Sequence, residues 1–117
     1  MTPQLIMSFN VDVRGDSVGF SLLVSHGESE PVVLDFATGQ RFDFQVFGPG
    51  GAPVWQWSSD RAFTQAMVAD TLSPLEQTEW QAWWWPEARS GAYTAVARLL
   101  TIEHEVRLET EFELIDR

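Results

Sequence analysis

The 117-residue chain has no cysteine, one tyrosine and two histidines, and only 7 basic side chains stand against 17 acidic ones. Without cysteine there is no disulfide, no thiolate nucleophile and no Cys-ligated zinc; packing must hold the fold, and a reducing compartment fits. A formal charge of −10 repels phosphate, so nucleic acids and anionic membrane surfaces are poor partners. No apolar run approaches the roughly 20 residues that a membrane helix needs. The start, MTPQLIMSFNVDV, has neither a basic leader nor a long apolar stretch, so the expectation is a cytoplasmic chain with no signal peptide.

The signatures of catalysis are missing too. HExxH, GxGxxG and phosphate-binding loops do not occur, nor does the D-x-D-x-D-G of a calcium loop. His26 and His104 have no third member to form a triad, and both are expected to be ordinary surface histidines. Glu105, Glu109, Glu111 and Glu113 fall at strand spacing on a solvent face, where a solvated, edge-protecting role is expected, and Asp12 with Asp16, or Asp35 with Asp43, is not expected to pair across strands. The expectation is a protein that is not an enzyme and uses no metal or cofactor.

What the chain does have is period two. Leu5, Met7, Phe9, Val11 and Val13 alternate with polar residues, Arg14-Gly15-Asp16 turns, and Val18, Phe20, Leu22 and Val24 resume. PVVLDF, the turn ATGQ and RFDFQVF follow, then the breaker GPGGAP, a short strand from Val54 to Trp57, and FTQAMVADTLSP, read as strand. Glu76 to Trp85 alternates again, as do Ala92 to Leu100 and a last strand with Val106, Leu108, Thr110, Phe112 and Leu114 on one face. Eight or nine short strands with regular turns predict a single domain, residues 1–117, folded as an antiparallel β-sandwich or barrel. Gly91-Ala92-Tyr93, similar to the approach to a tyrosine corner, and a core Trp at 55 or 57 favour the sandwich.

Four of the six tryptophans lie in WQAWWWPEARSG, residues 80–91. Alternation assigns Trp80 and Trp84 to the core with Thr78 and Ala82, and leaves Trp83 and Trp85 on the solvent side with Gln77, Glu79 and Gln81. A one-residue bulge near Trp83 would exchange these faces beyond it.

The motifs Thr38-Gly39-Gln40, Phe42-Asp43, Gly50-Gly51, Val54-Trp55-Gln56-Trp57-Ser58, Phe63-Thr64-Gln65, Leu72-Ser73-Pro74-Leu75-Glu76 and Gly91-Ala92-Tyr93 occur in this order over about residues 18–101. In that order they resemble the BsuPI-type intracellular proteinase inhibitor domain. Phe42 stands where that family usually has Tyr, and Leu75 replaces the Gly of Pro-Gly-Glu, which predicts a different turn because Leu resists positive φ. The resemblance implies an immunoglobulin-like antiparallel β-sandwich without catalytic activity. It also implies a subtilisin-like serine proteinase as partner. Trp55, Trp57, Phe63 and Tyr93 are expected to be core and turn residues.

Three loops are candidates to meet a proteinase: GPGGAP, Gly-rich and expected to be mobile by itself; SSDRAF, with Ser58, Ser59, Asp60 and Arg61; and WPEARSG, with Trp85, Pro86 and Arg89, beside which Trp83 completes the candidate surface. A trypsin-like target would favour Arg61 or Arg89, and a subtilisin-like one an apolar anchor such as Trp85. The alternatives are a non-inhibitory module that binds a carbohydrate or a partner protein through exposed Trp, and an accessory domain that self-assembles through a strand edge.

Overall fold

A computed structural model describes residues 4–87, 90–103 and 105–115. Among these, nine strands form: β1 (Leu5–Arg14), β2 (Ser17–His26), β3 (Val32–Phe36), β4 (Phe42–Phe47), β5 (Pro53–Gln56), β6 (Val68–Leu72), β7 (Thr78–Trp84), β8 (Gly91–Leu100) and β9 (Glu105–Leu114). A 3₁₀ turn, Trp57–Asp60, follows β5. Hydrogen bonding arranges the strands as an antiparallel sheet β1-β2-β7, a second sheet β5-β4-β8-β9, and a separate pair β3-β6.

Alternation decides which face of each strand turns inward. On β2, Val18, Phe20, Leu22, Val24 and His26 are buried and the residues between them are half-exposed. On β9 the inward residues Val106, Leu108, Thr110 and Phe112 alternate with Glu105, Arg107, Glu109 and Glu111 outside, as expected for a sheet with one wet face. The inner faces of the two larger sheets meet through aromatic rings. Phe20 of β2 stacks on Phe44 of β4 at 5.7 Å and on Trp55 of β5 at 5.3 Å, and Phe9 of β1 also reaches Phe44 at 5.8 Å. The molecule is therefore an all-β sandwich.

The β3-β6 pair is stitched to both layers. Phe36 bridges to Thr101 just beyond β8, and the Ile102 amide donates to the Asp35 carbonyl at 2.8 Å. On the other side, His26 at the end of β2 reaches the Leu72 carbonyl of β6 at 2.8 Å. The Arg41 guanidinium forks onto Asp70 through Nε at 2.9 Å and Nη2 at 3.2 Å. The Asp70 hydrogen bond holds the Arg41 pKa above its already high ordinary value, so the cation of this pair is permanent.

Four expectations need correction. FTQAMVADTLSP is strand only over Val68–Leu72, because residues 63–67 carry the chain from the end of the β5-β4-β8-β9 sheet to the separate β3-β6 pair. The strand expected to end at Trp57 stops at Gln56, where the 3₁₀ turn begins. His26 is not a surface residue: it is 5% exposed, Nδ1 accepts from the Glu28 amide at 3.0 Å, and Nε2 therefore carries the proton donated to Leu72. His104 lies outside the described residues. Finally, Leu75 does not resist positive φ. It takes φ +65 as the third residue of Ser73-Pro74-Leu75-Glu76, whose Glu76 amide donates to the Ser73 carbonyl at 3.0 Å.

The Ser73 amide also donates to the Glu76 carboxylate at 3.0 Å, and that pair of bonds imposes the turn on a residue ill suited to it. A left-handed non-Gly residue costs roughly 1–2 kcal/mol, while glycine gives back part of this through its freer unfolded chain. Leu75, fully exposed, loses no packing when removed. Leu75→Gly is therefore expected to stabilise the fold by about 0.5–1 kcal/mol, read as a rise of roughly 2–4 °C in Tm by differential scanning calorimetry.

Candidate functional site

Asp43 organises one end of the sandwich. The carboxylate is buried on β4 yet fully engaged: Oδ1 accepts from the Phe44 amide at 2.9 Å and the Ser58 amide at 3.1 Å, and Oδ2 accepts from Gln56 Nε2 at 2.7 Å and Ser58 Oγ at 2.6 Å. Four donors replace the water that a buried carboxylate loses. They also fold the chain back after β5, which sets Trp57 on Phe42 at 4.3 Å. Asp43 is thus a structural anchor and does not pair with Asp35, which stands opposite Ala69 on the β3-β6 pair.

The SSDRAF loop belongs to this anchor. Ser58 is bound to Asp43, Ser59 Oγ donates to the Gln56 carbonyl at 2.8 Å, and Arg61 lies over the Trp57 ring at 4.4 Å while its Nε donates to the Trp57 carbonyl at 3.1 Å. Of the four candidate residues here, Asp60 alone projects freely, with its carboxylate 4.0 Å from Arg61.

At the opposite end of β4 and β5, two of the candidate loops come together. GPGGAP is a closed turn, with the Gly48 amide bonded to the Ala52 carbonyl at 2.8 Å and the Gly51 amide to the Gly48 carbonyl at 2.9 Å. Pro49 packs over Gly91 at the start of β8. A Cβ at Gly91 would lie 2.6 Å from Pro49 Cγ, and its φ of +153 is one that only glycine adopts freely. The turn and the segment 85–87 flank a concavity of about 340 Å³ lined by Val54, Trp84, Trp85, Glu87 and Tyr93. Trp84 stacks on Trp55 at 6.0 Å and meets Tyr93 edge-on, which makes the floor rigid. Trp85, 66% exposed, and Val54 form its apolar rim.

Trp83 does not join this rim. Strand β7 ends at Trp84 with an unbroken register against β2, and no bulge interrupts it. Trp80 and Trp84 accordingly face the core, whereas Trp83, 50% exposed, lies on the outer face of the β1-β2-β7 sheet. Trp85 has left the strand and turns toward the loop end. Seven of the eight candidate residues thus divide among three places: Ser58 to Arg61 at one end, Trp85 and Pro86 at the other, and Trp83 on a sheet face. Arg89 lies outside the described residues.

The Asp43 anchor unites the aspartate, the Trp-x-Trp-Ser and the aromatic neighbours that set this sequence apart, and a family model described as intracellular proteinase inhibitor, BsuPI, matches residues 5–104. The chain belongs to the BsuPI family. No curated protein matches the sequence. The family is one of inhibitors, which are not themselves catalytic, and its name places the role inside the cell. Among the described residues no helix is long and apolar enough to cross a membrane.

The BsuPI motifs at Phe42-Asp43 and Trp55 to Ser58 are therefore folding signals. Sequence reading missed the buried His26 and the contact between Pro49 and Gly91. Both are long-range contacts that no local pattern announces. Removing the anchor tests the first point: Asp43→Ala strands four donors, each worth about 1.5–3 kcal/mol when bound to a charged group. The expected loss is at least about 3 kcal/mol in urea denaturation, with the midpoint falling and the slope unchanged. Gly91→Ala must push Pro49 aside and is expected to cost about 1–3 kcal/mol in the same measurement.

Proposed function

We propose that this domain binds a subtilisin-like serine proteinase in the cytoplasm through the loop end made by residues 48–54 and 85–87, with Trp85 as the anchor. The observation that carries this reading is the exposure of Trp85 beside Val54, on a rim whose floor of Trp84 and Tyr93 is packed into the sandwich. Trp buries a large area at small entropic cost and is enriched among interface residues that dominate affinity. The hydrogen-bonded Gly48 turn and the Pro49 contact with Gly91 support it, because a loop already ordered loses little freedom on binding.

The chemistry of the next residue extends the reading. With the Trp85 ring in an apolar specificity pocket, the bond presented to the nucleophile is Trp85-Pro86, a tertiary amide whose ring fixes φ and whose nitrogen carries no hydrogen. Such a bond occupies the cleft and resists acyl transfer. Arg61 is a poorer anchor, since it is already spent on Trp57, so a trypsin-like target fits less well. The strand order, β1-β2-β7 against β5-β4-β8-β9, supports an immunoglobulin-like reading of the scaffold.

Stoichiometric inhibition of a subtilisin-like proteinase is expected, and Trp85→Ala should raise the inhibition constant about 30-fold or more, equivalent to roughly 2 kcal/mol of hot-spot energy. Asp60→Ala and Arg61→Ala should leave it within about threefold. Pro86→Ala should turn the inhibitor into a substrate cut after residue 85, detected by intact-mass spectrometry. Full proteinase activity at large molar excess of the wild-type domain would falsify the proposal.

A further inference from the structure

The outer face of the β1-β2-β7 sheet carries a second, chemically different surface. Strand register sets its side chains in rows: Asn10, Ser21 and Gln81 stand side by side across the three strands, and Asp12, Gly19 and Trp83 form the next row. The rows are two residues apart, about 7 Å along the strands, with about 4.8 Å between neighbours across them. Together they floor an open concavity of about 260 Å³.

Trp83 defines one side of it. A Cβ on Gly19 would lie 3.3 Å from Trp83 Nε1 and 3.7 Å from Cδ1, so the absence of a side chain lets the five-membered edge of the indole settle onto the β2 backbone. The ring is thereby held by one side while half its surface stays open. The polar lining is mixed. Arg14 is paired with Asp12, and Ser21 Oγ donates to Glu79 at 2.6 Å. The side-chain amides of Asn10 and Gln81 and the Trp83 Nε1–H make no hydrogen bond among the described residues.

We propose that this face binds a neutral oligosaccharide, with one sugar ring on Trp83 and the neighbouring hydroxyls on Asn10 and Gln81. A pyranose has an apolar C–H face and a rim of hydroxyls that both donate and accept. The site offers the same pairing: one aromatic platform, and planar amides that can do both. A protein partner would need a wider apolar centre than a single ring supplies. An acidic sugar would meet Asp12, Glu79 and a chain of net charge −10. This site is separate from the Trp85 rim, so it stands whether or not the proteinase reading does.

Affinity electrophoresis of the full chain through gels containing hydroxyethylcellulose, xylan, glycogen or dextran tests it, backed by titration of cellohexaose, xylohexaose and maltohexaose with tryptophan fluorescence as readout. Retardation by at least one neutral glycan is expected, with a saturable fluorescence shift for the matching oligosaccharide. Trp83→Ala should weaken that binding tenfold or more, and so should the double variant Asn10→Ala with Gln81→Ala, whose exposed side chains are dispensable for folding. Trp85→Ala should bind as the wild type does, and Trp83→Ala should inhibit a proteinase as the wild type does. No shift and no retardation across the panel would overturn the proposal. So would a folded Trp83→Ala protein that binds sugar normally, or one that loses proteinase inhibition while no sugar binds, which would assign the groove to a protein partner.

Discussion

The packing of Phe20 against Phe44 is the contact on which the rest of the structure depends. Both rings are fully buried, one from each large sheet, and around them Phe9, Trp55 and Phe112 close the space between layers. With no disulfide and no metal-ligating cluster of three or more among the described residues, burial of these rings is what holds the layers together. Because Phe20 sits in β2, the centre of its sheet, its position also fixes the register of β1 and β7, and with it which tryptophans turn outward. The exposed rings are a consequence of where the buried ones lie.

The two ends of the sandwich divide the work. At one, Asp43 gathers Gln56 and Ser58 and converts a potentially presentable loop into part of the scaffold. At the other, the Gly48 turn and segment 85–87 leave an aromatic rim over a packed floor. The motifs that carry the family likeness lie mostly at the first end, and that explains why they identify the fold so well and point so poorly to a surface for a partner. Leu75 makes the same point from another direction. Leucine takes a positive φ there because Ser73 and Glu76 impose the geometry from both sides.

Legibility in the sequence followed the range of the interaction. Alternation is local, so the strands, the inward faces of β2 and β9, and the division of Trp80 and Trp84 from Trp83 could be read directly. The 3₁₀ turn after Gln56 could not: it depends on Asp43, 15 residues upstream, taking hold of Ser58. His26 was misread for the same reason. Its polar neighbours suggested solvent, whereas its partner, Leu72, is 46 residues away.

By itself, then, the sequence determined the fold class, the period of nearly every strand and the family, since each rests on side chains within a few residues of one another. Only the tertiary structure decided that Trp83 and Trp85 serve different surfaces, that Arg61 is held against Trp57 while Trp85 stands free, and that Pro49 and Gly91 lock two distant loops together. Those facts depend on which strands pair and where each one stops. Pairing is fixed by the packing of the whole core rather than by any segment of it.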